Sequence, residues 1–210
     1  MKVMTRICCF LLAATAAFAQ YKAQPAGDPP GDASAAVLST MNKAGTKIVA
    51  DNGSAYCEIW LRSTMPTGPN TGESSVTLPT IPKGALLGLL RFDAKGADRR
   101  GQTIAPGVYT LRYGDYPVNG NHQGVAPQRD FLLLVPAALD KSADAVADFD
   151  ALMELSRKAS AAPHPAVLSF WKADADDKPG FQKQGEKDWV LTANIGDTKV
   201  SIILIGKADE

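Results

Sequence analysis

The sequence has 210 residues, with 22 Lys and Arg balanced by 22 Asp and Glu. It therefore lacks the basic field that nucleic acid or anionic lipid would need. A chain of this length can bury a core large enough for one domain, and three cysteines are too few for a disulfide-built scaffold.

Lys2 and Arg6 precede an apolar run over residues 7–17, which ends in Ala17-Phe18-Ala19. A cationic start, a short apolar stretch and a small-x-small ending define a secretory signal peptide over residues 1–19, cleaved after Ala19. The run is too short for a spanning helix, which needs about 20 residues. Cys8 and Cys9 lie inside it rather than at its end, which argues against a lipid-anchored cysteine. Cleavage leaves Cys57 as the one mature cysteine, so the exported protein, periplasmic or extracellular, would be held by its core.

Residues 20–34 are rich in Ala, Pro, Gly and Asp without periodicity and are expected to form a disordered leader, with a single domain over residues 35–210. Residues 46–51 and 54–62 read as strands joined by an Asn52-Gly53 turn, which also accounts for the Asn52-Gly53-Ser54 sequon. In the second strand, the period of two puts Ala55, Cys57, Ile59 and Leu61 on the core face and Tyr56, Glu58, Trp60 and Arg62 on the other. Cys57 then reads as a small buried hydrophobe. Tyr56 and Trp60 are either a sugar- or peptide-binding platform or a face covered by another layer, and covering is the favoured reading.

Residues 63–84, with four prolines, read as mostly loop with at most one edge strand around Ser74-Ser75-Val76-Thr77-Leu78; 85–92 as a buried strand; and 95–101 as an exposed turn. In residues 107–113, Tyr109, Leu111 and Tyr113 should face inward and Val108, Thr110 and Arg112 outward. Residues 131–135 are apolar on both faces, so something must cover each side. The natural cover is a helix over residues 149–159, capped by Asp148, with Phe149, Leu152, Met153 and Ser156 at helical spacing. Pro163 and Pro165 stop it before a strand at 166–171, and strands at 188–194 and 198–206 close the chain through a three-residue hairpin at Ile195-Gly196-Asp197. About eight strands, one helix and no βαβ alternation predict an all-β domain, a single β-sandwich or open barrel.

The stretch Ile104-Ala105-Pro106-Gly107-Val108-Tyr109-Thr110-Leu111 and the closing hairpin from Trp189 to Ile205 resemble a class of secreted bacterial β-sandwich proteins. That class shares an (Ile/Leu)-Pro-Ala-Gly-x-Tyr-x-Leu strand motif, here with Ala and Pro exchanged, and has no established activity. The resemblance covers about half of the chain and implies the fold.

Hydrolase, phosphate-loop, dinucleotide and zinc-protease signatures are absent. The acidic run Asp174-Ala175-Asp176-Asp177-Lys178-Pro179-Gly180 lacks calcium-loop spacing and reads as a solvated loop. Residues 114–130 join two strands that a short turn would have connected, and loops longer than about 12 residues in compact domains are often functional. Its candidate binding residues are Tyr116, Asn121, His122, Gln123 and Arg129, with Asp130 at the next strand's edge. His164 stands between two prolines before another strand. The sequence thus predicts a non-catalytic module that binds a ligand or protein partner through this loop. The alternative is a small acid–base or metal-dependent enzyme in which His122, His164 and Asp130 hold zinc or another divalent cation. The plainer role for these histidines is to brace the loop, with Arg129 paired to an aspartate.

Overall fold

The computed structural model describes residues 20–118 and 128–208. The chain runs through β1 (Tyr21–Pro25), α1 (Ala35–Leu38), β2 (Thr46–Ala50), β3 (Ala55–Leu61), β4 (Leu86–Phe92), β5 (Gly96–Ala97), β6 (Thr103–Ile104) and β7 (Gly107–Asp115). It continues through β8 (Asp130–Pro136), α2 (Phe149–Ser160), β9 (Val167–Lys172), β10 (Gly180–Gln184), β11 (Asp188–Ile195) and β12 (Thr198–Ile205). Ten strands form one antiparallel sheet in the order β1-β2-β3-β4-β7-β8-β9-β12-β11-β10, and β5 with β6 makes a separate ribbon. The sheet curls into a nearly closed barrel. At the seam between its outer strands, Tyr21 meets Trp189 edge-on at 5.5 Å, and Trp189 stacks on Phe181 of β10 at 5.5 Å.

The alternation in β3 and β7 fills the barrel. Cys57, Ile59 and Leu61 join Tyr109, Leu111 and Tyr113 in the main core, together with Leu132 and Leu134 of β8. Burial pushes the Cys57 thiol pKa up, so the residue behaves as a small apolar side chain. Leu111 is fully buried, and Leu111→Ala is expected to cost about 2–5 kcal/mol through lost transfer energy and the cavity left behind. An unchanged urea midpoint for that variant would show that Leu111 is not a core residue.

The outer surface of the barrel is also covered. Trp60 is 1% exposed among Val37, Met41, Leu86 and Leu89, and its Nε1 donates to Gly27 O at 2.8 Å. Tyr56 does not share that face as the alternation predicts: at the β-bulge opposite Ile48 and Val49 it turns to the main core, where it packs edge-on against Phe92 at 5.6 Å, and desolvation pushes its phenol up to about 12. No aromatic platform is therefore available on β3. On β8, Phe131, Leu133 and Val135 form an outer cluster with Leu152 of α2. That helix begins as its sequence predicts, with the Asp148 side chain accepting from Ala151 N at 2.9 Å.

Thr110 and Arg112 face outward on β7 yet are 0% exposed, because residues 136–148 pass over them. The Arg112 guanidinium donates to both oxygens of Asp140, from Nε and Nη2, each at 2.7 Å. It also donates to the carbonyls of Gly84 at 3.0 Å, Asp144 at 2.6 Å and Ser142 at 2.5 Å. The Thr110 hydroxyl bonds to Asp140 as well. Every guanidinium N–H is thereby satisfied in the absence of water. Gly84 has φ +79°, and a Cβ there would lie 2.3 Å from Val146 O, so glycine lets the two segments touch.

Four other expectations need correction. Residues 20–34 are not a disordered leader: β1 pairs with β2 from Tyr21↔Ala50 to Pro25↔Thr46. The strand is held by main-chain bonds while most of its side chains face solvent, so no apolar alternation marks it. Residues 95–101 are not a simple exposed turn, since β5 and β6 close around Asp98, which is 1% exposed and accepts from Arg100 N, Gln102 N and Gln102 Nε2. The final hairpin has a two-residue turn at Gly196 and Asp197, with Ile195 paired to Thr198. The strand number is larger than eight because β1 and β10 are short with mostly exposed side chains and the ribbon strands β5 and β6 have only 2 residues each.

Candidate functional site

The ladder between β7 and β8 ends with Gly114 opposite Phe131 and Asp115 opposite Asp130. Beyond it Tyr116 N still donates to Arg129 O at 2.9 Å, so the two arms of the 114–130 loop leave the barrel together. Phe131 and Leu133 project outward on alternate positions of β8, and Phe149 and Met153 face them one helical turn apart on α2. These side chains, with Tyr116 and Val167, wall a cavity of about 330 Å³. A Cβ at Gly114 would stand 2.5 Å from Phe149 and 2.7 Å from Phe131, so a side chain there would push both rings. The Tyr116 and Phe131 rings are 4.6 Å apart and Phe131 and Phe149 are 6.2 Å apart, forming one aromatic wall.

Polar groups are few and sit at the margins: Lys83, Arg100, Asp115, Asp150 and His164. Lys83 Nζ is 2.9 Å from Asp115 Oδ1 and 5.6 Å from the centre of the Phe149 ring. The other Asp115 oxygen is 3.2 Å from Arg129 Nη2. Tyr116 is 7% exposed, and burial pushes its phenol up to about 12, so it stays protonated at neutral pH.

Of the predicted binding residues, Tyr116 lies in the cavity wall, while Asn121, His122 and Gln123 fall outside the described residues; His164, of the alternative metal or acid–base set, borders the cavity. Arg129 and Asp130 are braces. Arg129 donates to Tyr116 O at 2.7 Å and to Ser74 O, and pairs with Glu73 and Asp115 at 3.2 Å. Asp130 is 0% exposed, with Oδ2 accepting from Thr77 N at 2.8 Å and Thr77 Oγ1 at 3.1 Å. Its Oδ1 accepts from Tyr113 Oη at 2.8 Å and Leu78 N at 3.3 Å. Four donors fill the lone-pair sites of that carboxylate, so it does not fit a zinc ligand. It also alternates with Phe131, which puts it on the inner face of β8, away from the cavity that His164 borders. Among the described residues, no three His, Cys, Asp or Glu side chains group as metal ligands.

Lys83, Arg100, Phe149 and Met153 were not singled out as site residues by the sequence. The apolar two-faced β8 and the matching stripe on α2 do signal that a helix lies over this strand. What they do not signal is that the helix leaves a gap at the strand's first turn.

Comparison with protein-family models, with curated proteins and with solved structures finds no match. Fold and site together define a class of molecule: an antiparallel, barrel-like β protein with a lateral apolar cavity. Among its described residues, no helix is long and apolar enough to cross a membrane.

Proposed function

We propose that this is an exported, non-catalytic binding module that holds a small, mainly apolar ligand in the cavity beside the 114–130 loop. The cavity itself carries the reading. Its volume of about 330 Å³ and its aromatic and aliphatic walls with a few marginal polar groups are what small-molecule sites present. Such a space takes on the order of ten non-hydrogen atoms, at about 30 Å³ for a water-sized unit. The signal-like residues 1–19 support export. Binding is favoured over catalysis because Asp130, the carboxylate an acid–base or metal site would use, is fully committed to Thr77, Leu78 and Tyr113.

Calorimetric titration with 2-naphthol, a planar probe of suitable size, is expected to show saturable binding of one molecule per chain. Filling the space with Met153→Trp or Val167→Phe, whichever keeps the parent's thermal melt, should remove it. No saturable binding, or binding indifferent to a well-folded filling variant, would overturn the reading.

A further inference from the structure

We infer that the ligand of this cavity is an amphipathic carboxylate, an apolar body bearing one carboxyl group, and that Arg100 is the residue that selects it. The inference rests on the cavity being the binding site, and it follows from the charges around that cavity. Lys83 and Asp115 neutralise each other at 2.9 Å, and the second oxygen of Asp115 serves Arg129. Asp150 is an exposed carboxylate in the first turn of α2, where the helix's own unpaired N–H groups favour a negative charge. His164 is exposed at the rim.

Arg100 is different. It lines the cavity and is half-buried, and no ion pair or side-chain hydrogen bond joins its guanidinium to a described residue. The nearby Asp98 feels the Arg100 charge but makes no side-chain hydrogen bond to it, since that carboxylate accepts from Arg100 N, Gln102 N and Gln102 Nε2 to hold the β5–β6 turn. Contrast Arg112, whose donors are all matched by protein acceptors. Arg100 thus presents a planar fork of N–H donors at the margin of an apolar space, and that fork matches the two oxygens of a carboxylate. A cationic ligand would instead meet a like charge in a partly desolvated site.

Three probes with one body test this on the purified exported protein: 2-naphthoate, 2-naphthol and 2-naphthylmethylamine. Naphthoate is expected to bind about tenfold more tightly than naphthol, and the amine more weakly than either. Arg100→Gln should remove most of the naphthoate advantage while leaving naphthol affinity within about twofold; Arg100→Lys should restore part of it, because a point charge replaces the fork. Equal affinities for acid and alcohol, a preference for the amine, or an advantage that survives Arg100→Gln would overturn the role of Arg100 while leaving the cavity as a binding site. Failure of all three probes to bind would remove both readings together.

Discussion

Arg112→Ala is expected to destabilise the protein by about 3–5 kcal/mol, the largest effect of any single polar substitution in this fold. The guanidinium is fully buried and binds five acceptors, so its loss leaves the Asp140 carboxylate buried without a counter-charge and the carbonyls of Ser142 and Asp144 without a donor, while Gly84 O keeps only the bond from Val146 N at 3.3 Å. Those acceptors all belong to segments that cross the outside of the barrel, and residues 136–148 lead directly into α2. The same variant should therefore lose ligand affinity, although Arg112 does not line the cavity. The double replacement Arg112→Met with Asp140→Leu is expected to recover part of the stability, because removing both charges is less costly than stranding one. Urea denaturation of the two variants checks this. A loss below about 1 kcal/mol for Arg112→Ala would mean that water reaches the site and the network is dispensable.

Asp130→Ala should cost about 3 kcal/mol or more, since it orphans Thr77 N and Leu78 N in a site closed to solvent and leaves the Tyr113 hydroxyl only its longer bond to Leu78 O at 3.3 Å. With the bond from Lys172 N to Thr77 Oγ1 at 2.8 Å, these contacts hold residues 77 and 78 of a strandless segment against the barrel. The expected signature is a lower thermal midpoint with an unchanged content of bound zinc relative to the parent, measured by metal analysis. An unaltered melt accompanied by loss of stoichiometric zinc would restore the carboxylate to the set formed with His122 and His164. Tyr113→Phe gives a gentler check, because it removes one donor and leaves the carboxylate with three.

How much of this was legible in the sequence depends on whether a residue's role is local or distant. The period of two in β3 and β7 and the helical stripe on α2 are written in neighbouring residues, and the barrel core follows from them. The fate of Thr110 and Arg112 is not. Their outward facing is correct, but burial comes from a segment about thirty residues later that has no regular structure of its own. Asp130 reads as chemically active because it flanks a long loop, yet besides Tyr113 its partners lie more than fifty residues earlier, in a proline-rich stretch without periodicity. Arg129 shows the reverse case, where pairing with an aspartate was the plainer expectation and Asp115 supplies it. The cavity was the least visible feature, because it is a gap between two elements that were each correctly placed.

The seam at Tyr21 and Trp189 has a consequence for the order of assembly. The first strand and the last hairpin come from opposite ends of the chain, and their aromatic side chains meet only when the sheet has curled round. A chain delivered N-terminus first, from a ribosome or through a translocation pore, has β1 available long before it has the residues that close the barrel. Such contacts carry a large loop-closure cost and are made late. Removing the polypeptide after Lys172 would thus be felt at Tyr21, which would lose Trp189 and keep only Tyr56 of the two rings it packs against, and the polypeptide stays unfinished as a barrel until its C-terminal strands arrive.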